Sequence, residues 1–133
     1  MPNRFYSGFK SALLAGDADL ADGTVNAVLV DTSEYTFSEA HDALNDVPAD
    51  AWLGTPQTLA GKAIEDGVFD ALDITFAEVP SGGTAGAVVI YIAGASEAQS
   101  RLVAYFDTMD GLPIAPNGGD IEVEWNDAGI LYV

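Results

Sequence analysis

A chain of 133 residues with 49 % hydrophobic content is the length of one domain (residues 1–133) with a real core. No apolar run reaches the roughly 18 residues of a membrane-spanning helix, and the absence of cysteine excludes disulfide frameworks, thiolate metal sites and cysteine nucleophiles. Four cations (Arg4, Lys10, Lys62 and Arg101) face 21 carboxylates, giving a net charge of −17. Such a surface repels phosphate backbones and anionic lipid, so neither nucleic acid nor membrane is an expected partner.

Near the start, only Arg4 and Lys10 are basic and no apolar stretch leads to a small-residue cleavage site, so no signal peptide is expected. Residues 4–15 predict a helix: Phe5, Phe9 and Leu13 recur every four positions, Tyr6 and Leu14 flank the stripe, and Gly16 supplies the stop. After an acidic turn, residues 24–30 are apolar on both faces, as suits a central strand covered on both sides. Thr36 and Glu39 have capping-box spacing and predict a short helix to about Leu44, which Pro48 prevents from continuing.

Residues 51–53 and 57–63 read as edge strands, kept short by Pro56 and Gly61. Between residues 68 and 79, Leu72, Ile74 and Phe76 alternate with Asp73, Thr75 and Ala77, the period of a half-buried strand. A Pro80-Ser81-Gly82-Gly83 turn leads into residues 86–93, the most hydrophobic strand and a central one.

Residues 101–125 predict a strand, a tight connection and a second strand. In the first, Leu102, Ala104 and Phe106 share one face, and Val103 and Tyr105 the other. In the second, Ile121, Val123 and Trp125 point inward, and Asp120, Glu122 and Glu124 outward. Asp110-Gly111, Pro113, Pro116 and Asn117-Gly118-Gly119 lie between them. Residues 129–133 close the chain as a short apolar strand. The expected fold is mainly β, a single-domain β-sandwich or partly closed barrel with a short N-terminal helix and one further short helix.

Candidate chemistry is sparse. Asp17, Asp19 and Asp22-Gly23 suggest a calcium loop, but the third carboxylate comes one residue late and Val28 stands at the twelfth position, so an EF-hand is excluded. A looser carboxylate site stays open there and at Asp70/Asp73 and Asp107/Asp110. His41, the single histidine, lacks a nucleophile elbow and reads as a surface helix residue. With 21 carboxylates, glycosidase-like pairs carry no information. The glycine-rich pieces lack the P-loop lysine and the dinucleotide pattern. No enzyme, metal or cofactor is expected. Trp52, Trp125, Tyr35, Tyr91, Tyr105 and Tyr132 read mostly as core, with one or two as interface anchors.

Several pieces in order resemble a family of small proteins from the virion-structure regions of tailed bacteriophages and prophages: the Phe5-Tyr6 helix to Leu14 followed by residues 17–20, then VNAVLVDTSEYT (25–36), LAGKAIEDGVFDALDITF (59–76), AVVIYIAG (87–94) and SRLVAYFDTMDGLPIAPNGGDIEVEW (100–125). Family members carry more Lys and Arg than this chain does. The resemblance implies a virion structural protein, with capsid decoration (a cement protein on the outer capsid surface) as the specific expectation. The implied partners are the major capsid protein and sister subunits, with a trimer favoured. A tail, neck or fibre-attachment component and a carbohydrate- or receptor-binding β module are the alternatives. Arg4, Phe5 and Tyr6, a cation beside aromatics, and Met109, Leu112 and Ile114, apolar residues in a turn, are the candidate contact residues.

Overall fold

The computed structural model describes residues 3–107, 112–125 and 129–132, with residues 3, 4 and 132 described for their backbone. It is mainly β, as expected, with no closed barrel. Strands β1 (Asn3–Phe5), β8 (Arg101–Phe106), β7 (Ala85–Ile92), β2 (Val25–Asp31) and β3 (Trp52–Thr58) form, in that order, a five-stranded sheet whose neighbours all run antiparallel. Two small sheets accompany it. One is β10 (Leu131–Tyr132), β5 (Val68–Asp70) and β4 (Ala63–Glu65); the other pairs β6 (Ile74–Phe76) with β9 (Ile121–Val123).

The five-stranded sheet is buried on both faces because its central strands are apolar at nearly every position. Val25, Ala27 and Leu29 of β2 join Val88 and Ile90 of β7 in one core with the side chains of the small sheets and of helix α1 (Ser7–Ala15). Val28 and Val30 join Ala87, Val89 and Tyr91 in a second core. That second face is covered by the segment between β2 and β3, through Tyr35, Leu44, Val47 and Ala51.

A β-bulge alters the predicted faces of β8. The register against β7 shifts between Ile90 and Tyr91, so Tyr91 opposes Leu102 while Ile90 opposes Ala104. Val103 is the extra residue, and Leu102 consequently shares a core with Tyr105 while Val103, Ala104 and Phe106 share the other. The predicted grouping of Leu102 with Ala104 and Phe106 is corrected accordingly.

Three further expectations are corrected by tertiary hydrogen bonding. The N-terminal helix begins at Ser7, because residues 3–5 pair as an edge strand with β8. The Ser7 N–H donates to the Glu39 carbonyl (3.0 Å), and Gly16, at φ 80°, closes the helix by donating to Ala12 and Leu13 carbonyls. The helix predicted from Thr36 to Leu44 does not form. Its Glu39 carbonyl accepts from Ser7 and its Asp42 carbonyl from Leu102 (2.9 Å), so the sheet takes acceptors a helix would use. Only a 3₁₀ turn, Leu44–Asp46, appears there. The alternation over residues 68–79 is divided between β5 and β6 in different sheets: Ile74 and Phe76 are buried, whereas Leu72 is 64 % exposed.

The strands flanking the 107–120 connection also part company, since β8 lies in the large sheet and β9 pairs with β6. The two predicted edge strands at 51–53 and 57–63 are instead one continuous edge strand, β3, with β4 starting a separate hairpin.

Candidate interaction surface

Aspartate side chains do much of the local building, which accounts for many carboxylates without invoking a site. Asp19 accepts from the N–H groups of Ala21 and Asp22 (both 3.0 Å), closing the acidic turn on itself. Asp73 accepts from the Trp125 N–H (2.9 Å) and Asp120 from the Glu78 N–H (2.9 Å), tying together segments distant in sequence. Asp46 reaches back to the Asp42 and Ala43 N–H groups (2.8 and 3.2 Å), and these bonds, with His41 adding a smaller effect, hold its carboxyl below the usual range. The Ser33 hydroxyl and N–H (2.7 and 2.9 Å) do the same for Asp31. Among the described residues no group of three or more carboxylates, histidines or cysteines is placed to hold a metal ion.

His41 is half-buried and lies outside any helix, correcting the surface-helix expectation. Its Nδ1 lies 2.8 Å from the Tyr35 hydroxyl, which is itself 2.8 Å from the hydroxyl of Tyr6. Burial raises the Tyr6 phenol far above its ordinary value and pushes Tyr35 up to about 12, so both remain protonated and able to donate at neutral pH. Phe37 and Tyr105 pack against this chain, with ring centroids 5.0 Å apart. The arrangement fastens the covering segment to the residues beside the sheet.

Of the predicted contact residues, Phe5, Tyr6, Leu112 and Ile114 have described side chains. Tyr6 is fully buried, its hydroxyl paired to Tyr35, so it does not offer an exposed anchor; this corrects the expectation for Tyr6. Phe5 is half-buried and stacks on Phe9 at 5.7 Å. Arg4 pairs through its backbone with Tyr105. Met109 lies outside the described residues. Leu112 is half-buried against the first core. Ile114 is 39 % exposed, while its backbone bridges Ala85 by two hydrogen bonds (2.8 and 3.0 Å). The aromatic candidates Tyr35, Tyr91, Tyr105 and Trp125 are buried, and half-buried Trp52 donates its indole N–H to the Val47 carbonyl (3.3 Å).

An apolar groove lies elsewhere, between α1 and the β4–β5 hairpin. Its volume is about 200 Å³. Phe9 and Leu13 form the helical wall, Ala18 to Leu20 close one end, and Ile64, Val68 and Phe69 form the opposite wall. The hairpin owes its geometry to Asp66 (φ 53°) and Gly67 (φ 78°), two left-handed residues that connect β4 to β5 in the primed-turn manner. Ile64 opposes Phe69 across the pair, and because β4 is an edge strand Ile64 stays 54 % exposed. Asp66-Gly67 is the hairpin signal that the sequence carries for this turn.

Asp19 lines the groove, Asp17 precedes Ala18, and Glu65 and Asp66 sit between lining residues Ile64 and Gly67; all four carboxylates are exposed. The Lys62 ammonium donates to the Gly23 carbonyl. Arg101 is committed to another backbone carbonyl, that of Gly8 (3.4 Å), beside Asp42. The cations are therefore partly engaged in holding the chain's own backbone.

No protein-family model and no curated protein matches the sequence.

Proposed function

We propose that the protein is a structural component of a tailed-bacteriophage particle that binds the outer surface of the capsid shell and stabilises it as a decoration protein. The observation that carries this reading is the net charge of −17 on a mainly β domain, which suits an outer surface better than a DNA-facing one; the phage assignment is the expectation drawn from residues 25–36, 59–76, 87–94 and 100–125. Those segments contribute β2, β5 to β9 and the β4–β5 hairpin.

The charge supports the placement. A chain of net charge −17 whose Lys62 and Arg101 are engaged by its own carbonyls is poorly suited to a wall facing packaged DNA and well tolerated outside it. Stabilisation by such a protein needs no chemistry: it follows from binding the assembled shell more tightly than its separated subunits.

Cryo-electron microscopy of intact particles tests the proposal, with heat inactivation of particles lacking the protein as its companion. Density on the outer shell and a lowered inactivation temperature are expected. Density confined to the tail or neck would favour the attachment reading, density on the inner wall would refute the outer placement, and glycan binding by the isolated protein would favour a receptor module.

A further inference from the structure

We propose that Asn117-Gly118 is a modification site held shut by Val79: Asn117 converts to aspartate and isoaspartate through a cyclic imide, and does so only when the turn at residues 117–119 opens.

Sequence supplies the reactants. Among the chain's asparagines only Asn117 precedes glycine; the others precede arginine, alanine or aspartate. Without a Cβ, Gly118 leaves its backbone nitrogen unshielded for approach to the neighbouring carboxamide. Both residues are exposed, so water and hydroxide reach them.

The fold activates one reactant and restrains the other. Asn117 Oδ1 accepts from the Gly119 N–H (2.9 Å), which draws electron density from the carboxamide carbon and faces the oxygen that gains charge during attack. The Gly118 N–H, in contrast, donates to the carbonyl of Val79 (2.8 Å), a fully buried residue. Val79 returns its own N–H to the Gly119 carbonyl (3.0 Å), and the Glu78 N–H donates to the Asp120 carboxylate (2.9 Å). Only the deprotonated amide nitrogen is a nucleophile, and a proton shared with a carbonyl is withheld from hydroxide. Breaking the bond from Gly118 to Val79 therefore precedes reaction, by the same local opening that lets this amide exchange with solvent.

In the opened turn hydroxide removes the Gly118 proton, and the nitrogen bonds to the Asn117 side-chain carbon. The carboxamide nitrogen takes up a proton from water and leaves as ammonia, which closes the imide. Water then opens the ring, giving aspartate by attack at the side-chain carbonyl and isoaspartate by attack at the backbone carbonyl. No oxidant or reductant takes part. Either product adds a carboxylate, and isoaspartate inserts a methylene into the main chain, so the paired bonds to Val79 lose their spacing.

Mass spectrometry of the full chain in mildly alkaline buffer, folded and in denaturing urea, tests this beside hydrogen exchange at the Gly118 amide. In urea Asn117 should be the first asparagine converted. In the folded protein its conversion should be about tenfold or more slower, matching the protection of the Gly118 amide. Asp120→Ala releases the exposed Glu78 N–H to water and loosens the turn without touching the reactants. That variant, and urea below the unfolding midpoint, should each raise exchange and conversion by the same factor. Equal conversion in folded and unfolded protein, earlier conversion of another asparagine in urea, or exchange that accelerates while conversion does not would each overturn the proposal.

Discussion

Tyr35 is the residue on which the cover of the second core turns, because its hydroxyl joins a fully buried phenol to a half-buried imidazole. Replacing it with phenylalanine strands the Tyr6 hydroxyl without a partner inside the core, a change that typically costs about 1–3 kcal/mol. Tyr6→Phe should cost less, since Tyr35 keeps His41. The double variant should cost less than the two singles combined, because it leaves no phenol hydroxyl unpaired in the core and loses only the His41 bond that Tyr35→Phe already removes. Urea denaturation of the four proteins checks this cycle; strict additivity would show that the two hydroxyls do not depend on each other. His41→Ala should also lower stability modestly, by about 0.5–1.5 kcal/mol, through loss of its bond to Tyr35.

Two aspartates give the residue scale a pH signature. The carboxyls of Asp31 and Asp46 are held low in the folded protein by hydrogen bonds from Ser33 and from the Asp42 and Ala43 N–H groups. A depressed folded value means that the stabilisation is complete above the unfolded value near 3.9 and is lost as pH falls through the folded one. Carboxyl-carbon titration by nuclear magnetic resonance should therefore find both midpoints below those of freely solvated aspartates. Asp31→Asn and Asp46→Asn should each make the loss of stability below about pH 4 shallower.

At the scale of elements, β2 and β7 are the strands that cannot tolerate charge. Val89 is fully buried between β2 and β8, facing the second core, whereas Glu122 lies on the exposed face of β9. Val89→Asp should cost at least about 3 kcal/mol and unfold a marginal domain, since an unpaired buried carboxylate has no compensating partner. Glu122→Lys should change stability by less than about 0.5 kcal/mol. Thermal unfolding by circular dichroism separates the two outcomes, and a stably folded Val89→Asp protein would contradict the burial of both sheet faces. The bulge at Val103 belongs to this scale as well: it lets Leu102 and Tyr105 face one core while Ala104 and Phe106 face the other.

Over the whole molecule, the dominant long-range force is self-repulsion. With −17 formal charge, raising salt from about 0.1 M to about 1 M shortens the screening length from about 10 Å to about 3 Å and should raise the melting temperature. A salt-independent melting temperature in scanning calorimetry would mean that the carboxylates are spaced widely enough not to interact.

The sequence by itself determined the class of fold, the interior strands and the character of the surface. Apolar runs such as residues 25–30 and 86–92 have only one stable environment, between two covered faces, and both lie inside the large sheet. Local pattern failed where backbone groups had a choice of partner. Residues 4 and 5 read as the start of a helix because Phe5 and Phe9 share a period, yet they belong to a strand that pairs with β8. Residues 36–44 carry a capping signature, but distant N–H groups claim their carbonyls. Tyr6 looked like a surface anchor because sequence gives no sign of Tyr35 and His41 waiting to receive its hydroxyl across the fold. The apolar groove belongs to the same class: Leu13 and Ile64 are 51 positions apart, and only the docking of helix against hairpin makes them two walls of one cleft. Periodicity reports which face a residue prefers; which groups meet there is decided by long-range hydrogen bonds and packing, which no local window of sequence contains.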